Sequence, residues 1–118
     1  IMKYGNFSFF TAGDLGKQNE IESIRGQTED IDMIKIGHHG SANSTSTEFI
    51  KQLRPKIAVI SVGVNNPYGH PSKEVLDILI DNGVGIERTD KEGEIKISTD
   101  GNYMDIVPEV GEGKKIKV

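Results

Sequence analysis

Cysteine and tryptophan are both missing from the 118 residues. Without cysteine there is no disulfide, no thiolate nucleophile and no Cys-rich zinc site. Long apolar runs are missing too. The longest, Ile57-Ala58-Val59-Ile60, is far short of the roughly 20 residues a membrane helix needs. Positive charge is in deficit, with 14 Lys and Arg against 18 Asp and Glu, a formal net charge of −4. It clusters only in Lys114-Lys115-Ile116-Lys117, so a general nucleic-acid clamp is excluded. With only four Phe and three Tyr, the core must be built mainly from Ile, Val and Leu. Each such side chain contributes about 1.5–3 kcal/mol when buried. The length suits one modest domain. No signal peptide is legible, and the chain opens on Ile1, which we read as a piece of a longer polypeptide.

Local patterns predict alternating strands and helices. Residues 7–13 read as a strand stopped by Gly13, with Asp14 directly after it. A helix is expected over 18–25, stopped by Gly26, and a second strand over 31–37, followed by His38 and His39. Thr45 and Glu48 fit a capping box for a helix that Pro55 ends. Residues 56–63 form an apolar strand covered on both faces. Ser72 caps a third helix whose buried stripe is Val75, Leu76, Leu79 and Ile80, and Asn82-Gly83 ends it. Shorter strands are expected over 85–90, 94–99 and 103–107, with a hairpin at Asp100-Gly101. Residues 1–110 make one unit, and 111–118 are expected as a tail or linker. The order β-α-β-α-β-α followed by short antiparallel strands predicts an α/β fold.

The chemistry-bearing residues gather at strand exits, the edge where α/β sheets bind ligands. All three histidines lie in Gly-flanked loops, Gly37-His38-His39-Gly40 and Gly69-His70-Pro71, and Asp14 follows Gly13. Imidazole and carboxylate suit Zn²⁺ and similar ions. Each feature also has a plain structural explanation. Gly-Asp after a strand is commonly a turn or cap, a loop histidine is commonly solvated, and the Ser and Thr cluster around 41–47 caps a helix. Asn65-Asn66-Pro67-Tyr68 is most simply a turn. If the loops do bind a substrate, Ser41, Asn66, Tyr68 and His70 are the candidate contacts.

Three segments together, Thr11-Ala12-Gly13-Asp14, Ile34-Lys35-Ile36-Gly37-His38-His39-Gly40-Ser41 and Ala58 through Asn65-Asn66-Pro67-Tyr68-Gly69-His70-Pro71-Ser72, resemble one known pattern. It is that of the C-terminal half of a metallo-β-lactamase-fold hydrolase, an αββα sandwich, in the branch found in ComEC-type DNA-uptake competence proteins. Arg88-Thr89-Asp90, Gly93-Glu94-Ile95 and Thr99-Asp100-Gly101 extend the likeness. The resemblance implies a metal-dependent hydrolase with two divalent ions, Zn²⁺ first and Mn²⁺ as the alternative. Asp14 would bridge the ions, and one of His38 and His39 would be a ligand. By likeness His39 is favoured as ligand, leaving His38 and His70 to contact the reacting group. An extended backbone would turn the two adjacent histidines to opposite faces. The substrates implied are phosphodiesters, DNA among them, or other small esters.

One part of the pattern is missing. The family's H-x-H/D-x-D-H motif occurs nowhere in the chain. Asp14 and two histidines cannot complete a binuclear site. The expectation is therefore a missing N-terminal half as partner, with this chain inactive alone. A bare apolar face would make the isolated fragment associate. Two rivals stand beside this reading: a non-catalytic interaction or scaffold fragment, and a receiver-like α/β module with Asp14 as a metal or phosphate site. No P-loop or GxGxxG fingerprint supports the latter. No membrane contact is expected of this segment, and both an extracytoplasmic and a cytoplasmic location stay open.

Overall fold

Four short β-rich segments supply a parallel sheet, because each is separated from the next by an amphipathic helix long enough to cross back over it. The computed structural model describes residues 1–11, 16–27, 29–42, 45–64, 67 and 69–118, and His38 by its backbone alone. Strands β2 (Phe7–Thr11), β3 (Met33–Lys35), β4 (Ile57–Ile60) and β5 (Gly85–Arg88) run parallel in that order. Helices α1 (Lys17–Ser23), α2 (Thr47–Leu53) and α3 (Lys73–Asp81) connect them. The fold is α/β, as the sequence predicts.

The register fixes which side chains share a face. Phe9, Met33 and Ile57 are cross-strand partners, as are Phe10, Ile34 and Ala58 one residue on. The second row faces the helices. Phe10, Ile34, Ala58 and Ile60 pack there with Ile24, Phe49, Leu53, Val75 and Leu79 in one core. Phe10 meets Phe49 edge-on, with ring centroids 5.4 Å apart. The first row faces a second sheet of three antiparallel strands, β6 (Ile95–Thr99), β7 (Tyr103–Pro108) and β8 (Lys114–Lys117). Met104 and Ile106 on β7 seal that layer against Phe7, Met33 and Ile57. The seal is partial. A cleft of about 420 Å³ remains between the sheets, lined by Phe7, Phe9, Met33, Val59, Ile95 and Ile97 among others.

Several local expectations are corrected. An edge strand, β1 (Met2–Tyr4), pairs antiparallel with β2. Residues 111–118, expected as a tail or linker, carry β8, which pairs with β7 from Tyr103↔Lys117 to Ile106↔Lys114. Past β5 the chain makes a short helical turn, α4 (Thr89–Glu92), where continued strand was expected. Helix α2 is capped by Ser46, whose hydroxyl accepts from the Phe49 N–H, and not by Thr45. On α3, Ile80 is 63% exposed. At about 100° per residue it lies well off the axis of the Val75–Leu79 stripe, toward solvent. Among the described residues no helix is long and apolar enough to cross a membrane.

Candidate functional site

Strands β2, β3 and β4 end in step, with Thr11 opposite Lys35 and Lys35 opposite Val59. The chain therefore leaves all three at one edge of the sheet. The three segments singled out in the sequence begin there. Asp14 stands three positions past the end of β2 and, with Asn66 and Tyr68, lies outside the described residues. The side chain of His38 does too.

Extended geometry does not persist past β3. Gly37–Gly40 is a 3₁₀ turn, with His39 at φ 54° and Gly40 at φ 84°. The argument that two adjacent histidines must face opposite ways therefore lapses, because it holds for strands and not for tight helical turns. A left-handed conformation costs a non-glycine residue about 1–2 kcal/mol, and surrounding structure must impose it. Part of that constraint is visible. His39 is exposed, but its Nδ1 lies 2.6 Å from the Ser61 carbonyl oxygen just beyond β4. A carbonyl only accepts, so Nδ1 carries the proton, and in the neutral ring Nε2 is left as the acceptor or ligand nitrogen.

The second constraint is steric. A Cβ on Gly40 would sit 2.5 Å from Pro71 Cβ and 2.8 Å from Pro71 Cα. The Gly40 carbonyl also accepts from the Ser72 N–H at 2.8 Å. Only glycine allows this approach, and it holds the His38-His39 turn against the Gly69-His70-Pro71 segment. His70 is half-buried beside that contact. Ser72, as expected, caps α3 by accepting from the Val75 N–H. Ser41, a candidate substrate contact, is buried.

Three features escaped the sequence reading. Thr89 Oγ1 accepts from the Val62 N–H and donates to the Val62 carbonyl, each at 2.8 Å, locking the exit of β4 to that of β5. Arg88 forms a two-point ion pair with Asp90 at 2.7 and 3.0 Å. Glu20 is buried in the helix layer. Arg88, Thr89 and Asp90 entered the sequence reading only as part of the family likeness. Glu20 left a trace in its spacing, since a carboxylate four residues before Ile24 sits on the stripe that α1 turns to the core.

Charge is unevenly compensated near β5. Glu87 is buried, with Oε1 2.7 Å from Lys114 Nζ in an orientation that makes an ion pair and not an aligned hydrogen bond. Beside it, burial first, then a hydrogen bond with Glu87 and its charge, push the Glu92 carboxyl up to about 7. Among the described residues no three His, Asp or Glu side chains are grouped as a metal cluster.

No family model matches the chain, and no solved structure does either. Three curated proteins do. The chain is 44% identical over 96 residues to ComE operon protein 3 of Bacillus subtilis, covering 80% of this chain and 12% of that protein. It is 34% identical over 94 residues to Recombination protein 2 of Haemophilus influenzae, with the same two shares. It is 33% identical over 95 residues to Competence protein ComA of Neisseria gonorrhoeae, covering 78% and 14%. The chain thus spans about one-eighth of the length of these relatives, and it is a homologue of one short segment of competence and recombination proteins.

Proposed function

We propose that this chain is the C-terminal half of a metallo-β-lactamase-type domain that hydrolyses phosphodiesters, DNA foremost, in a protein of DNA uptake. The observation that carries the reading is the His39 Nδ1–Ser61 contact at the shared strand edge. Metal-ligating histidines almost always donate their other ring N–H to a carbonyl or carboxylate, which fixes the ring and its tautomer. His39 meets that requirement, and its exposure leaves the ring accessible. The donor chemistry therefore fits a divalent ion.

In this reading His39 and Asp14 would hold the divalent ions, through imidazole nitrogen and carboxylate oxygen. The remaining ligands come from an N-terminal half outside this chain. Two Zn²⁺ or Mn²⁺ ions bound there would supply a nucleophilic water at neutral pH and stabilise charge on the attacked phosphate. His38 or His70 donates a hydrogen bond to the oxygen that gains charge as the phosphodiester breaks. In the same reading Asn66, Tyr68 and His70 contact substrate, and Ser41, which is buried, supports the loop beside them. The Gly40–Pro71 contact sets the spacing of the two histidine segments. Helices on one face and an open apolar cleft on the other are what half of an αββα sandwich would present.

The test is made on the intact protein. Asp14→Ala and His39→Ala should each lower bound Zn²⁺ or Mn²⁺ at least tenfold, by elemental analysis, and abolish phosphodiesterase activity. Unchanged metal content in both variants would sink the assignment.

A further inference from the structure

A buried charge joins the helix after β2 to the segment after β3. Glu20 on α1 is 1% exposed, and its Oε1 accepts the backbone N–H of Thr45 at 2.6 Å. Carboxylates are almost never fully buried unpaired, and a hydrogen bond to an ionised oxygen is roughly twice as strong as a neutral one. Thr45 is itself fully buried and holds φ 62°. For a β-branched residue that conformation is a genuine outlier, and it persists only where neighbours impose it. What Glu20 recognises is the main chain. The Thr45 hydroxyl takes no part in the bond, and one residue later Ser46 caps α2.

Sequence order gives this link its consequence. Asp14 stands six residues before Glu20, and His39 stands six residues before Thr45. Each residue assigned above to metal binding thus stands the same short distance in sequence from one end of the Glu20–Thr45 hydrogen bond. We infer that Glu20 is a positioning residue. Through the Thr45 N–H it fixes the separation between the Asp14 and His39 segments, and so sets how tightly a divalent ion is gripped between them. The inference rests on the metal-site reading above. In this role Glu20 acts through the Thr45 N–H.

The experiment uses the full-length polypeptide, titrated with Zn²⁺ and Mn²⁺ by calorimetry, with hydrogen exchange of residues 41–46 and a thermal melt of the metal-free form. Glu20→Ala should weaken Zn²⁺ binding 10–100-fold, the scale of a lost outer-shell group, and deprotect that segment. Glu20→Gln keeps an oxygen acceptor for Thr45 and should restore most of the affinity and the protection. A purely structural role would lower the melting temperature and leave the Zn²⁺ affinity alone. An affinity within twofold of wild type in folded Glu20→Ala therefore overturns the inference. Should that variant not fold, Glu20→Asp replaces it, since its carboxylate falls one methylene short. The same weakening is expected there, and unchanged affinity is again fatal. A wild type that takes up neither ion overturns the metal-site reading together with this one, whereas normal wild-type uptake with indifferent variants overturns this one alone.

Discussion

The two ends of the parallel sheet treat buried carboxylates differently. Where β3 and β4 begin, Asp32 is buried and fully matched. Its Oδ2 accepts from the Ser8 N–H at 2.9 Å and the Ser8 hydroxyl at 3.2 Å, and its Oδ1 meets Lys56 Nζ at 3.0 Å. Its carbonyl accepts from the N–H groups of Lys56 and Ile57. Lys56 Nζ reaches on to the Lys117 carbonyl, so the same cluster ties down β8. Where the strands end, compensation is thinner. His39 and Thr45 are held in left-handed conformations, and near β5 Glu87 and Glu92 crowd one ammonium, that of Lys114. The matched end secures the layers. Left-handed residues occur at both ends, Arg54 with φ 46° at the matched one. It is therefore the crowding of carboxylates that sets the other end apart, a pattern that gathers at functional sites.

The largest effect that would sharpen this contrast is expected at the matched end. Asp32→Ala strands the Ser8 N–H, leaves the Ser8 hydroxyl only the Asp30 carbonyl at 3.4 Å, and takes from Lys56 its one carboxylate, leaving the Lys117 carbonyl. It should cost about 3 kcal/mol in unfolding free energy by urea titration, since removing one member of a buried polar cluster exposes the others to full desolvation. Metal uptake by the intact protein should not change. Next comes Gly40→Ala, where the strands end. Its new Cβ meets Pro71 backbone at a φ of 84°, so about 2 kcal/mol should be lost. Here metal uptake should fall as well, because the His39 turn is pushed off the His70 segment. Equal metal loss in both variants would erase the distinction between the two ends.

How much of this was legible follows from where the information sits. The parallel strands and three helices were readable because their apolar spacing is local and strong, as in Ile57–Ile60 and Val75–Leu79. Strand β1 was not, since Met2, Lys3 and Tyr4 are all exposed and owe their conformation to pairing with β2 alone. Strand β8 reads as a charged tail for the same reason, its lysines answering to Glu87 and Asp105 across the fold. Thr45 and Ser46 are both good caps, but Ser46 has the extended backbone a cap needs, whereas Thr45, its N–H held by Glu20, is left-handed. At the candidate site the sequence put the histidines and glycines in loops at strand exits, and β2, β3 and β4 do end at one shared edge. The sequence could not reveal the 3₁₀ turn at His38-His39, because that turn depends on Ser61 and Pro71, more than 20 residues away.

The smallest expected effect concerns the pH dependence of the crowded end. Glu92 holds its proton up to about pH 7 in the folded protein but releases it near its ordinary 4.5 when unfolded. Between those values the folded state binds more protons than the unfolded one, so stability must fall as pH rises. The group costs nothing below 4.5, its cost grows through the interval, and it levels off above 7. Because the side chain is only partly enclosed, solvent screening limits the penalty to about 1 kcal/mol. Other carboxylates titrate in the same region, so the measurement is a difference. Urea unfolding of the wild type and of Glu92→Gln is compared at steps from pH 4.5 to 8. The amide keeps a neutral hydrogen-bonding group beside Glu87 and removes the titration. The variant should match the wild type at the acid end and exceed it by about 1 kcal/mol at the alkaline end. Parallel curves would mean that Lys114 already neutralises both carboxylates, leaving this end of the sheet as well compensated as the Asp32 cluster opposite it.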